Sequence, residues 1–397
     1  LSIASGEKLF GRKRFFLFTY INLKRSILIT VIVLLLTGLY NIWSKSSPKS
    51  KLESRLKEDK ILVFQINGYE SGFKKLNYCV FAFLNPQQRK LGLFFINPLF
   101  RFPDSDRRIE DLSAREFKSQ VSVLEHISGL KVNYIINLNQ SSFRSLADIL
   151  GGLNFFLEPL QQKQFQNFSF NQGDALVSGE EIMEMLRLKS KDETSYLIRM
   201  NMQESLTLSL LDRFHEQYSD FKKEWLLHLL KAADTTLKEE DALTVLQFLE
   251  KGPLTAVLSE LPGELKKGEK PEDFYLEFKQ DIANLAFVKL ASYLSSGDYS
   301  LGEFSRIEII NNTETNGLAK NAKSIVNEKG MKVLSVGTGF PGLGNKSAVL
   351  NRSGNTEYAL KLGKILGIKS VRYVIDKETG LDATVILGDD FESKPKN

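Results

Sequence analysis

Cysteine is almost missing from this chain. Cys79 stands alone in 397 residues, so no disulfide forms within the chain and no thiolate cluster can hold a metal. Histidine is nearly as scarce. His126, His215 and His228 have none of the spacings of metal ligands, which leaves them core or surface roles. An excess of either charge is also lacking. Lys and Arg number 53 against 48 Asp and Glu, a net +5, and much of that excess sits in one N-terminal cluster. The chain therefore carries no electrostatic footprint for nucleic acid. No nucleophile elbow, zincin helix, P-loop or calcium loop occurs. Gly68-Tyr69-Glu70-Ser71-Gly72 places its serine one position late for G-x-S-x-G. What is present is ordinary globular material, 42% hydrophobic and 25% charged, enough for two or three compact units.

One stretch departs from that average. Ile27 to Trp43, ILITVIVLLLTGLYNIW, carries no charge. A helix crossing a bilayer core needs ~17–25 apolar residues, and the run just meets that length. Tyr40 and Trp43 stand at its far end, where amphipathic rings favour the headgroup layer. Arg12, Lys13, Arg14, Lys24 and Arg25 precede it, a cluster that favours a cytoplasmic N-terminus. The expectation is a cytoplasmic basic segment (1–25), a signal-anchor helix (26–43) and a polar linker (44–59). The protein then sits single-pass in the cytoplasmic (inner) membrane, with its bulk extracytoplasmic, facing the periplasm.

Beyond the linker, strand and helix patterns interleave, which predicts a layered α/β (α+β) core. Ile61 to Asn67, Asn77 to Phe83 and Leu91 to Asn97 read as strands, the last two joined as a hairpin through Asn85-Pro86-Gln87-Gln88. A capping box at Ser113 and Glu116 opens a helix running to Ile127. A strand Asn133 to Leu138, a helix Ser141 to Leu150 and a strand Leu153 to Leu157 follow. Helices are expected over Ser178 to Leu188, Arg199 to Tyr218, Glu239 to Leu258 and Phe274 to Leu294, with Leu261 to Pro271 as linker. A boundary near Gly297 divides a domain over 60–299, the layered core with its helical extension, from a small α/β sandwich over 300–392. The latter has the order β-α-β-β-α-β-β and is expected to fold alone.

Two motifs need weighing. Gly337-Thr338-Gly339-Phe340-Pro341-Gly342 matches G-x-G-x-x-G after a strand, but no helix starts there to face a pyrophosphate. It reads as a glycine-rich surface loop, with Phe340 a contact candidate. Asp104, Asp106, Glu110 and Asp111 have the oxygen chemistry for a divalent ion. They alternate with Arg101, Arg107 and Arg108, so the stretch reads as a solvated mixed-charge loop with no metal.

The strand Ile307 to Asn312, Gly317-Leu318-Ala319, Gly330, Tyr358-Ala359-Leu360 and the closing Val385-Ile386-Leu387-Gly388-Asp389-Asp390 together resemble the LytR-type C-terminal domain of LytR-CpsA-Psr (LCP) proteins. Ile61 to Gly68, Asn97-Pro98, Ala147 to Leu153, Leu176 to Leu188, Arg199 and Gln203 resemble that family's catalytic domain, in diverged form. The resemblance implies a membrane-anchored cell-envelope protein of cell-wall biogenesis. Its partners would be a polyprenyl-pyrophosphate lipid or a cell-wall glycan, and other envelope proteins. In the family, carboxylates hold Mg²⁺ on the pyrophosphate and arginines neutralise its oxygens while the glycan moves to peptidoglycan.

Here the matched positions depart from the pattern. The family's magnesium-binding aspartate falls on Asn77, an Arg-Asp pair on Leu99-Phe100, and a later arginine on Met202. Asn binds Mg²⁺ far less well than a carboxylate, and Leu cannot replace a bidentate phosphate donor. Arg187, Lys189 and Arg199 remain as candidates to hold an anion. Two readings follow. One is a non-catalytic binding or scaffold protein with no cofactor, a pseudoenzyme. The other is a Mg²⁺-dependent glycopolymer–peptidoglycan ligase with displaced ligands such as Asp104, Asp106 or Asp192.

Overall fold

The apolar runs after the linker become the centre of a sheet. In the computed structural model, which describes residues 50–58, 60–70, 73–101, 107–114, 116, 125, 130–158, 173–186, 193–268, 273–296, 305–339 and 346–392, β1 (Leu62–Tyr69) pairs antiparallel with β2 (Leu76–Asn85). β2 turns through Asn85 to Gln88 into β3 (Lys90–Phe95), the expected hairpin. The Asn85 side-chain oxygen accepts from the N–H groups of Gln87 and Gln88, which closes the turn. All six residues of β3 are buried, as a strand covered on both faces requires. Cys79 lies in this core, and burial pushes its thiol up, away from any reactive thiolate.

Among the described residues the sheet has six strands in the order β8-β5-β1-β2-β3-β9. β5 is Tyr134–Asn139, β8 Asp234–Thr235 and β9 Thr255–Glu260. Helix α1 (Lys51–Arg55), α4 (Glu193–Glu216) and α6 (Glu239–Glu250) cover one face, burying Leu52, Leu208 and Phe248 on Phe64, Val80 and Leu93. Helix α7 (Gln280–Ser296) covers the other, with Leu290 and Tyr293 on Phe83 and Phe94. Beside the sheet, α2 (Gln140–Ile149), the hairpin β6 (Leu153–Leu157)–β7 (Gly173–Val177) and α3 (Gly179–Leu186) pack a separate apolar cluster against α4. Asn139 caps α2 by accepting from the Ser142 N–H, and Ser178 with Glu181 forms a capping box for α3.

The structure corrects four expectations. The linker ends earlier than expected. Lys51–Arg55 is helical because Leu52 is fully buried and its N–H donates to Asp241 Oδ1 at 3.1 Å. The helix from Glu239 stops at Glu250, since Gly252-Pro253 cannot continue it, and Thr255–Glu260 pairs parallel with β3 instead. The supposed linker after Leu261 contains β10 (Gly263–Lys267), which pairs with β11 (Phe274–Phe278) where a helix was expected. β11 in turn pairs with β4 (Phe100–Arg101). A further helix, α5 (Lys223–Ala232), was not anticipated. The Ser113–Glu116 capping box forms, with the Ser113 N–H donating to Glu116 at 2.8 Å. Most of the helix it opens lies outside the described residues.

The last part keeps the expected order: β12 (Ile307–Asn311), α8 (Leu318–Glu328), β13 (Val333–Thr338), β14 (Ala348–Asn351), α9 (Thr356–Leu366), β15 (Val371–Tyr373) and β16 (Ala383–Leu387). Its sheet runs β13-β12-β16-β14-β15. Asn355 caps α9 at its start, and Gly367 in the left-handed region (φ 71°) ends it. This part has its own core on β12 and β16 but shares two others. Tyr373 and Ile375 pack with Leu208, Phe248 and Leu258, and Phe156 packs with Ala348, Leu350, Val374 and Ile386. Among the described residues no helix is long and apolar enough to cross a membrane. The run Ile27 to Trp43 lies outside them.

Candidate functional site

The space between α4 and the sheet is not filled. Gly68, with no side chain, and the small Val80 and Ala82 leave room beneath α4, and the gap is a cavity of about 250 Å³. Leu91, Leu93 and Ile136 of the sheet, Phe143 and Leu146 of α2, and Leu206 and Leu210 of α4 form its apolar walls. A cavity so lined takes hydrocarbon in preference to water.

One end of the cavity is polar. Arg199 and Gln203 lie one helical turn apart on α4, so both reach the same point on β2. Arg199 Nη2 donates to the Asn77 carbonyl at 3.3 Å, and Gln203 Nε2 donates to the same oxygen at 2.9 Å. Arg199 Nε has no hydrogen-bond partner although it is buried, a donor poised for an acceptor. Asn77, Gln203 and Tyr78 border the cavity, and the Tyr78 hydroxyl is 2.9 Å from Thr207 Oγ1.

Glu110 faces the same corner. Ile109 and Leu112, both buried, pin its short helical turn to the core, and its N–H donates to the Pro98 carbonyl. Burial pushes the Glu110 carboxyl up, while Arg108, Arg199 and Lys75 pull against that rise. Arg108 Nη2 sits 2.9 Å from Glu110. The Glu110 end of the mixed-charge stretch is therefore partly buried and within electrostatic reach of Arg199. The missed signal was the pair of apolar residues around Glu110, which anchor what the charges alone suggested was a free loop.

The remaining candidates fall elsewhere. Leu99 is 3% exposed and packs with Met200 and Phe274. Phe100 packs in the sheet core, and Met202 packs among Ala147, Leu153 and Ile182. These three apolar residues fill core positions and bring no group to the cavity. Arg187, Lys189 and Phe340 lie outside the described residues, as do Asp104, Asp106 and Asp192. Among the described residues no group of three His, Cys, Asp or Glu side chains could hold a metal ion. The acid at this corner, Glu110, is ion-paired, and Asn77 offers only neutral oxygens. The described residues do not fit a bound Mg²⁺.

A mixed α/β domain with an apolar cavity closed by a cationic corner defines the class. Residues 117–280 match the LytR_cpsA_psr family, and residues 305–391 match the domain described as LytR cell envelope-related transcriptional attenuator. The chain belongs to the LytR-CpsA-Psr family. It is 24% identical over 93 residues to the polyisoprenyl-teichoic acid–peptidoglycan teichoic acid transferase TagU of Bacillus licheniformis, a match covering 23% of this chain and 30% of that relative. Among solved structures, B. subtilis TagT is 13% identical, with a TM-score of 0.47 over 59% of this chain and 91% of that one. B. subtilis TagV is 13% identical, with 0.46 over 60% and 98%. The structure of YwtF (TagT) with bound octaprenyl pyrophosphate lipid is 14% identical, with 0.46 over 59% and 90%.

Proposed function

We propose that the chain is a membrane-tethered, extracytoplasmic protein of cell-wall glycopolymer assembly that binds a polyprenyl-pyrophosphate-linked glycan without turning it over. The observation that carries this is the apolar cavity of about 250 Å³, with Gln203 on its wall and Arg199 beside it, both donating to the Asn77 carbonyl. The polyprenyl chain occupies the cavity, and the pyrophosphate meets Arg199, with Arg187 and Lys189 as further donors. Arginine pairs with phosphate oxygens need no bridging cation. Asn77 in the place of the family's aspartate, and Leu99, Phe100 and Met202 absorbed into cores, favour binding over transfer. The LytR-type domain serves as an interaction module for glycan or for other envelope proteins.

The test is equilibrium binding of a fluorescent polyprenyl pyrophosphate to the full chain in detergent, with and without EDTA. Binding should persist in EDTA and weaken with salt. Arg199→Ala should lower affinity about tenfold or more, the worth of a hydrogen bond to a charged group (~1.5–3 kcal/mol). Mg²⁺-dependent release of the glycan by the wild-type chain would instead establish the ligase, with carboxylates outside the described residues. No binding at all would remove the lipid from the proposal.

A further inference from the structure

Helix α5 (Lys223–Ala232) is built unlike its neighbours. Its sequence, KEWLLHLLKA, carries Trp225, Leu226, Leu227, Leu229 and Leu230 in ten residues, yet not one residue of the helix is buried. Each of those five side chains is partly exposed. Apolar residues spread over more than half of the helix's circumference, more than its neighbours cover. Exposed lysines stand at both ends, Lys222 just before it, Lys223 at its first position and Lys231 in its last turn; Glu224 is the one acid within the helix, with Asp220 and Asp234 exposed beyond its ends. Lys222 Nζ lies 5.4 Å from the Trp225 ring, and Phe221 packs edge-on to the same ring.

We propose that α5 is a bilayer-contact helix, entering the headgroup layer of an anionic membrane with Trp225 and its leucines. This inference rests on the membrane-tethered part of the proposed function. An amphipathic helix with aromatic and leucine side chains between lysines has the chemistry of an interfacial helix. Its place in the fold gives the occupant. α1, where the folded part begins, packs on α6, and α5 packs on α6 as well. The start of the folded part and α5 are therefore neighbours across one helix. Seven residues, Ser44 to Ser50, separate the apolar run from Lys51, a span of at most ~25 Å when fully extended. The tether thus keeps this side of the molecule within reach of the lipid. The more exposed stripe Ile282, Leu285 and Val288 on α7 lies across the sheet from α1 and α6, so the same tether does not favour it.

The contact also has a use. α5 packs on α2, and α2 supplies Phe143 and Leu146 to the cavity wall. A polyprenyl chain leaving the bilayer beside α5 is one helix away from its apolar site, which shortens its path through water.

The chain has two tryptophans, Trp43 and Trp225, so Trp43→Phe leaves Trp225 as the one reporter. The full-length variant is placed in nanodiscs containing phosphatidylglycerol, with lipids brominated high on the acyl chain. Trp225 emission should shift to the blue and lose most of its intensity to bromine. Exchange of Lys222, Lys223 and Lys231 for Glu should reverse most of that loss. Incorporation into the disc with water-like, unquenched Trp225 emission overturns the inference and leaves the tether intact. Failure to enter the disc overturns the tether. Trp225 is then read with brominated vesicles added to the chain, and absence of quenching there overturns α5 as a lipid contact on its own account.

Discussion

Glu110 is where an anion would compete with the protein's own charge. Its carboxyl is pushed up by burial and shares Arg108, Arg199 and Lys75 with any ligand at that corner. A pyrophosphate there raises it further, so binding takes up a proton and weakens as pH rises through the free protein's Glu110 titration. Glu110→Gln should tighten binding of a polyprenyl pyrophosphate and flatten its pH dependence above the ordinary carboxylate range. An unchanged pH profile in the variant would remove Glu110 from the site. Asp212 makes a second case. It lines a smaller cavity of about 80 Å³ with Tyr218, Leu360 and Tyr373, and burial, then Glu216, push it from 3.8 up to about 6. The folded state therefore favours its neutral form. That stability is complete below pH 4 and is lost as pH rises through 6, by at most about 3 kcal/mol. Asp212→Asn lacks this loss, so urea unfolding should show the variant gaining on wild type between pH 4.5 and 7.5. Arg199 was legible in the sequence as a charge on a helix. Its partner, the Asn77 backbone carbonyl 122 residues away, has no side-chain signature to read.

At the scale of elements, local grammar was read well. The Asn85 to Gln88 hairpin and the Ser113–Glu116 box both depend on residues close in sequence. The segment from Gly252 to Phe278 was misread because its strands β9 and β10 are defined by partners far away. β9 takes its register from β3, some 165 residues earlier, and short apolar runs such as Ala256-Val257-Leu258 fit helix and strand alike. Gly354 carries a different constraint. It has φ 82°, and a Cβ there would run into the Leu258 side chain of β9. Gly354→Ala should therefore cost more than the ~1 kcal/mol of strain alone, through loss of the contact between α9 and β9. Thermal unfolding compares it with Gly330→Ala, where nothing lies within 4 Å of the added atom. Equal losses at the two positions would show that the contact contributes nothing.

At the scale of the molecule, the last eighty-odd residues are not a bead on a string. Arg352 is buried and grips Glu158 through both Nη atoms at 2.9 and 2.5 Å. Arg372 pairs with Asp174 at 2.6 Å, and the Thr356 hydroxyl both accepts from and donates to the Ala256 backbone. Lys377 reaches 2.8 Å from Glu204, which is fully buried, and 2.5 Å from Glu260. Burial keeps Glu204 raised. Burial also raises Glu260, but Lys377 and the Glu204 hydrogen bond outweigh it and bring Glu260 below its usual value. Sequence alone indicated a domain that folds by itself. The shared clusters around Tyr373 and Phe156 argue that residues 300–397 cut free would melt well below the parent chain, and calorimetry of that fragment checks it. Lys377→Met should cost at most about 3 kcal/mol, by leaving the ionised Glu260 without its cation. Chemical denaturation should read this as one cooperative transition shifted, not as a second transition appearing.

Helix α4 carries both sides of this arrangement. Its Gln203 lines the cavity and its Arg199 donates to Asn77 beside it, while Glu204 and Ser205, the next residues, hold Lys377 and the Ile375 N–H. Occupying the cavity and seating the last domain thus draw on one rigid rod, and equilibrium linkage makes their influence mutual. A lipid that tightens the rod protects the seam from opening. By the same linkage, opening of the seam would loosen the lipid by the same factor. Hydrogen exchange at the Ile375 amide, some distance from any phosphate, then becomes a gauge of whether the cavity is full.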